Sequence, residues 1–214
     1  MNRRALTLGT GVLALAALGG GVWLYPNGEV AGRAGTGQED IYVRPHSPVV
    51  GKADARVTLV EFFDPSCEAC RAFHPILKQI LARHPNEVRL VLRYAPFHEG
   101  SDEAVRILEA ARLQGHFEAV LDALLARQHE WAIHGAPNLG TAWRIAGIAG
   151  LDLGRARQDA RRPEIERILE ADTADLQVLQ VRRTPTFFVN KRPLISFGPQ
   201  QLYELILSEI NATG

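Results

Sequence analysis

Two cysteines stand three positions apart in the run Phe62-Phe63-Asp64-Pro65-Ser66-Cys67-Glu68-Ala69-Cys70, and they are the only two in a chain of 214 residues. Thiols at i and i+3 of a helix share one face, at a separation that suits a reversible disulfide. The apolar run before them and the helical periodicity after them put the pair where a strand gives way to a helix. Cys67 then falls in the first turn, where unpaired backbone N–H groups and the helix dipole favour an anion. The thiolate is the reactive form of cysteine, so Cys67 is the attacking sulfur. Cys70, one turn deeper, is the resolving thiol. A single bridge this short is a poor staple, because the loop it closes is small. The pair is therefore read as reactive, with an inert structural disulfide as the plain alternative.

Metal binding is the other chemistry open to such a pair. A zinc site needs about two further ligands, and no second cysteine pair exists. The seven histidines, His46, His74, His84, His98, His116, His129 and His134, form no ligand pair beside the cysteines. Soft thiolates also suit Cu(I), but Met1 is the only methionine, so a methionine-rich copper motif is absent. The reading assigns no metal and no cofactor. Copper handling by Cys67 and Cys70 stays as the rival from a different class.

The elements around the pair follow from periodicity. Residues 56–63 (RVTLVEFF) form a nearly continuous apolar, β-branched and aromatic run, as expected of a central strand covered on both faces. Asp64-Pro65-Ser66 ends it, with Asp64 or Ser66 placed to cap the next helix. That helix spans about 67–83, with Phe73, Ile76, Leu77, Ile80 and Leu81 on one stripe and Pro75 as an expected kink. Residues 88–94 make the next strand, parallel to the first and reached by a right-handed crossover. A helical insertion covers about 101–180, holding Trp131 and Trp143 in its core and broken at Gly115 and Pro163. Residues 186–189 read as a strand, Asn190-Lys191 as a tight turn, residues 193–197 as an edge-like strand, and Pro199 opens the last helix with Leu202, Leu205, Ile206 and Ile210 inward. Pro45 and Pro48 suggest that the domain starts near Ile41 with irregular or edge-strand chain.

The second signal is Val181-Arg182-Arg183-Thr184-Pro185-Thr186-Phe187-Phe188-Val189. Pro185 cannot donate to a sheet ladder. A cis Thr184–Pro185 bond would point the Thr184 backbone at the cysteines, where it could pair with an extended client segment as an added strand. Only about 5–6% of X-Pro bonds in folded proteins are cis, so on these residues alone a trans proline at a strand start stands as the alternative. Arg182 and Arg183 read as a solvated loop.

Taken together, VEFFDPSCEAC (residues 60–70), the helical insertion and VRRTPTFFVN (residues 181–190) resemble the DsbA-like branch of thioredoxin-fold thiol–disulfide oxidoreductases, over about residues 46–212. The resemblance implies an α/β thioredoxin fold with a central mixed sheet, in the order β-α-β, helical insertion, β-β-α. It also implies a cis proline at Pro185 beside the site, a nucleophilic Cys67, a resolving Cys70, and a buried acid beneath the disulfide at Glu61. Glu61 has its own argument. A carboxylate inside LVEFF is costly to bury, and its raised pKa would suit a proton acceptor for Cys70; an outward-facing strand position is the alternative. The chain departs from the family's best-known pattern at Glu68-Ala69, where Pro-His is familiar. Glu68 should oppose the thiolate by like charge, which predicts a lower reduction potential than that of the strongest oxidants. Lys191, where a glycine often follows the asparagine, should affect only the turn, and His74 is read as a helix-surface residue.

The N-terminus differs in kind. Arg3 and Arg4 precede an uncharged stretch, residues 5–25, rich in Leu, Ala, Val and Gly, with Trp23 and Tyr25 at its far end. Residues 1–25 read as an export signal, a membrane anchor, or both, and residues 26–40 as a flexible linker to a domain spanning 41–214. That places the domain in the periplasm or cell envelope. Formal net charge is zero, with 24 basic and 24 acidic residues, so no basic surplus argues for nucleic acid as a partner. The partners implied are exported protein thiols and disulfides and a membrane redox partner, met by a monomer. Too few residues lie between the leader and the first strand for a dimerisation domain.

Overall fold

The computed structural model describes residues 40–212; the leader and nearly all of the linker lie outside the described residues. Five strands form one mixed sheet in the order β1-β3-β2-β4-β5. The central strand β2 (Val57–Phe63) and its neighbour β3 (Val88–Tyr94) run parallel, with Glu61 opposite Leu92 and Phe63 opposite Tyr94. Both are buried along almost their whole length, which is why their sequences do not alternate. Between them runs α1 (Glu68–Arg83), continuous through Pro75.

On the other side of β2 lies β4 (Thr186–Val189), antiparallel, with Glu61 opposite Phe187. The edges are β1 (Val49–Gly51), antiparallel to β3, and β5 (Arg192–Pro193), antiparallel to β4. The predicted second strand over 193–197 shrinks to these two residues. Asn190 and Lys191 both adopt positive φ, 47° and 69°, the turn geometry that twists a two-residue hairpin correctly. Past it, Ile195 and Phe197 are exposed rather than paired. The final helix α8 (Pro199–Ala212) buries Leu202 and Ile206, leaving Leu205 and Ile210 half-buried.

The insertion expected over 101–180 is six helices: α2 (Ser101–Leu113), α3 (Phe117–Ala126), α4 (Gln128–Trp131), α5 (Leu139–Ile148), α6 (Leu153–Asp159) and α7 (Pro163–Val178). Gly115, at φ +75°, ends the first of them. Pro163 starts the last, where its missing N–H costs nothing. Trp131 and Trp143 are buried in the insertion's core, as expected.

Each sheet face has its own core. Leu59, Phe63, Leu92 and Tyr94 face α1, the insertion and α8 in one large cluster, which also takes in Cys67 and Cys70. Val60, Phe62, Val91 and Phe188 face the other way, against Leu176 and Val181 at the end of α7. That second face also holds Arg93, wholly buried, which donates from Nε and Nη2 to Asp172 and from Nη2 to Asp175 at 2.6–3.0 Å. Arg44 reaches Asp175 and His46 reaches Asp172, tying residues 44–46 to α7. Among the described residues no helix is long and apolar enough to cross a membrane.

Candidate active site

The strand-to-helix junction positions the cysteines as their spacing predicts. Cys67 is the N-cap residue of α1, in extended backbone conformation, and Cys70 lies in its first turn. The expectation that Asp64 or Ser66 caps the helix does not hold: no side chain caps α1. Asp64 is instead the knot of the loop. Its Oδ1 accepts from the Ser66 N–H at 2.8 Å and from the Ser101 hydroxyl, and its Oδ2 accepts from the N–H groups of Phe97 and His98 at 2.7 and 2.9 Å. The carboxylate is wholly buried, so these donors replace its lost water. The first turn of α1 is left open to an anion at Cys67.

Both cysteines are free thiols and buried, with 6% of Cys67 and 1% of Cys70 exposed. Cys67 is lowered to about 5. A hydrogen bond from Cys70 is the largest cause; burial opposes it, and the Thr184 side chain with the backbone of Cys70 and Ala69 adds to it. Cys70 moves the other way, raised first by burial, then by its bond to Cys67 and by the charge of Glu61. The two thiols are thus polarised in opposite senses, one ionised near neutrality and one protonated. A thiolate beside a protonated partner is what a nucleophile and a resolving group need.

Glu61 faces inward on the same side of the sheet as the cysteines and is 3% exposed, so the outward-facing alternative falls. Burial and then the charge of Cys67 push its carboxyl up to about 8. Such a group is largely protonated at neutral pH and can take or give a proton near it. The Thr184–Pro185 bond is cis. The Thr184 carbonyl lies 3.4 Å from the Cys67 Sγ, which donates to it when Cys67 is a protonated thiol. Thus Thr184, 117 residues beyond Cys67, is brought to the site that Glu61, Cys67 and Cys70 form within one stretch of chain.

Glu68 is exposed in the first turn while Ala69 is half-buried against the core, and Glu68 Oε1 lies 2.8 Å from His134 Nε2. His74 lies away from the sulfurs, 2.6 Å from Asp122, linking α1 to α3. Lys191 sits in the hairpin turn and pairs with Asp40 at 3.0 Å, and Arg182 and Arg183 are exposed. No cluster of three or more histidine, cysteine or acidic groups fit for a metal occurs among the described residues.

Sequence reasoning missed Gln128 at this site. Its buried amide, from the start of α4, donates to the carbonyls of Pro65 and Cys67 at 2.8 and 3.0 Å. It therefore fixes the loop that carries the nucleophile. A separation of 61 residues from Cys67 left no local signal for it. The cluster of His98 and His134 was missed for the same reason.

Comparison with known proteins agrees with this fold. Residues 44–206 match the family model described as Thioredoxin. The chain belongs to the thioredoxin family. A thioredoxin-like oxidoreductase from Silicibacter pomeroyi DSS-3 is 34% identical, with a TM-score of 0.69 over 79% of this chain and 94% of that one. The alpha-DsbA1 of Wolbachia pipientis shares the fold at 17% identity, with a TM-score of 0.70 over 79% of this chain and 93% of its own. The thioredoxin fold and the likeness to DsbA-like proteins expected from the sequence are both there. Among curated relatives, the Na(+)/H(+) antiporter NhaA of Herminiimonas arsenicoxydans is 34% identical over 144 residues, 67% of this chain and 22% of the antiporter. The chain thus spans about a fifth of the length of the curated relatives it matches.

Proposed function

We propose that this protein is a DsbA-like thiol–disulfide oxidoreductase that exchanges disulfides with exported proteins through Cys67 and Cys70, chiefly in the direction of disulfide formation. The opposite polarisation of two adjacent thiols carries this reading: Cys67 lowered to about 5, Cys70 raised. The oxidised pair is attacked by a client thiolate at Cys67, which forms a mixed disulfide and releases Cys70. Glu61 hands Cys70 the proton it takes up. A second client thiolate then attacks the client sulfur of the mixed disulfide and expels Cys67 as the stable thiolate. The client loses two electrons and becomes a disulfide, and the Cys67–Cys70 pair gains them as a dithiol. Thr184 offers its backbone to the client segment beside Pro185, and no metal or cofactor takes part. In reverse, Cys67 attacks a client disulfide, Cys70 gives its proton to Glu61, and the same pair acts as reductase or isomerase.

The reading extends to location and partners. Residues 1–25 carry the protein into the envelope and hold it at the membrane there, and a membrane redox partner restores the disulfide. The domain acts as a monomer.

The test is the reduction potential of the pair in the full chain, by glutathione equilibrium and alkylation trapping. A value of about −120 to −180 mV makes the protein a disulfide donor or isomerase, and about −270 mV a reductase supplied with electrons from the membrane. Failure to form an intramolecular disulfide at all, with tight Cu(I) binding instead, would overturn the reading in favour of copper handling.

A further inference from the structure

The C-x-x-C segment of this chain contains no histidine, yet two histidines stand against it from elsewhere in the fold. His98, in the loop between β3 and α2, is half-buried with Nδ1 2.7 Å from Asp64 Oδ2. Its own N–H also donates to that oxygen. The residue is therefore held twice, once by its backbone and once by its ring, by the carboxylate of Asp64, whose backbone carbonyl accepts the Cys67 N–H at 3.1 Å. His134, just past α4, places its ring 5.8 Å from that of His98. Its Nε2 meets Glu68, the residue next to Cys67. Ser66, His98 and His134 line one small cavity of about 60 Å³ at this end of the pair.

Asp64, His98, His134 and Glu68 thus form a continuous acid–histidine–histidine–acid row that begins below Cys67 and ends beside it. We propose that His98, held by Asp64, is a positioning residue that sets the thiolate of Cys67 from outside the C-x-x-C segment, while His134 holds back the opposing charge of Glu68. This rests on the thiol–disulfide reading above and supplies its missing cation. Burial alone would lower the basicity of His98. The hydrogen bond and charge of Asp64, then the charges of Cys67 and Glu68, outweigh it and raise His98 above its ordinary value. An imidazolium that feels the Cys67 charge stabilises that charge in return, because the coupling is mutual. The charged groups packed around His98 are Asp64 and Cys67 from the loop before α1, Glu68 from α1, His134 from the segment after α4, and Glu99 beside it in its own loop.

The direction with pH follows. His98 is charged below its raised pKa, and there the reduced protein gains the stabilised thiolate. As pH rises through that value the gain is lost, and the pair becomes a weaker oxidant than it would be with a permanent cation.

The experiment follows thiolate absorbance and glutathione equilibrium against pH in the full chain, for wild type, His98→Gln, His98→Lys and His134→Gln. In His98→Gln the Cys67 titration moves up by about one unit, and the equilibrium shifts about tenfold toward the disulfide. His98→Lys restores most of the tenfold and removes the histidine's inflection from the pH profile. His134→Gln moves the titration the same way by less, and adding Glu68→Gln reverses that part. His134 is an exposed residue, so this pair of variants reports even if His98→Gln does not fold. Unchanged titration and equilibrium in the folded variants, with wild type exchanging normally, would overturn the role of His98 alone. A wild type that forms no reversible disulfide would instead remove the oxidoreductase reading itself.

Discussion

The two faces of the sheet bury acids with opposite consequences. Behind β3, Arg93 is wholly buried but answered by Asp172 and Asp175, with Arg44 and His46 closing the network. In front of β2, Glu61 is equally inaccessible, and burial with the charge of Cys67 pushes it up to about 8. Charges paired with good geometry are held where they are, and they fix structure. A carboxyl raised into the neutral range is free to change its proton, and that is the property a thiol-exchange site can use. The difference lies in the partner and not in the depth.

The largest way to break this comparison is to remove the partner on the rear face. Arg93→Met takes the central cation from the buried Asp172 and Asp175, leaving only Arg44 and His46 at the rim, and stability falls by about 3–5 kcal/mol. Urea unfolding reads this, while the folded fraction keeps the Cys67 titration unchanged. On the front face the expectation inverts. Glu61→Gln slows the steps that move the Cys70 proton by about 10²-fold, as stopped-flow of mixed-disulfide resolution would show, with no loss of stability near neutral pH.

A finer test uses pH. Glu61 has a folded value raised from 4.5 to about 8, so between those values the native state holds a proton that the unfolded chain has lost. Its contribution to stability therefore falls as pH rises through that window. Cys67 has a folded value lowered from 9.0 to about 5, so its contribution rises with pH between those values. The two slopes, each about 1.4 kcal/mol per pH unit, oppose one another between pH 5 and 8. In the reduced protein, Glu61→Gln should tilt the stability profile upward with pH relative to wild type, and Cys67→Ser should tilt it downward. Parallel profiles would show that the two groups are not shifted in opposite senses. The smallest effect belongs to Glu68, an exposed carboxylate of the same site. Glu68→Gln changes stability by within about 1 kcal/mol, and Glu68→His raises the reduction potential.

What the sequence made legible was local. The apolar runs of β2 and β3, the i, i+3 cysteines and the stripe of α1 each lie within a few residues, so their patterns survive in one dimension. Glu61 could be singled out because an acid inside LVEFF breaks such a pattern. The edges were harder. The strand β1 is three residues long and β5 two, too short for alternation to show. In the insertion only the breaks at Gly115 and Pro163 could be read, because a helix as short as the four-residue α4 shows no periodicity. Asp64 looked like a cap, and only the fold brings Phe97, His98 and Ser101 to it as donors. Gln128 and His134 are separated from the residues they touch by 61 and 66 positions, and nothing in their neighbourhoods marks them.

Only 6% of Cys67 reaches the surface. A sulfur so recessed cannot meet one fixed flush in a rigid protein wall. It meets sulfurs on chain that can bend toward it, as newly delivered or locally loosened polypeptide does. For the exchange proposed above, the recess would then act as a clock as much as a shield: it would tie exchange to the interval before a client has finished folding.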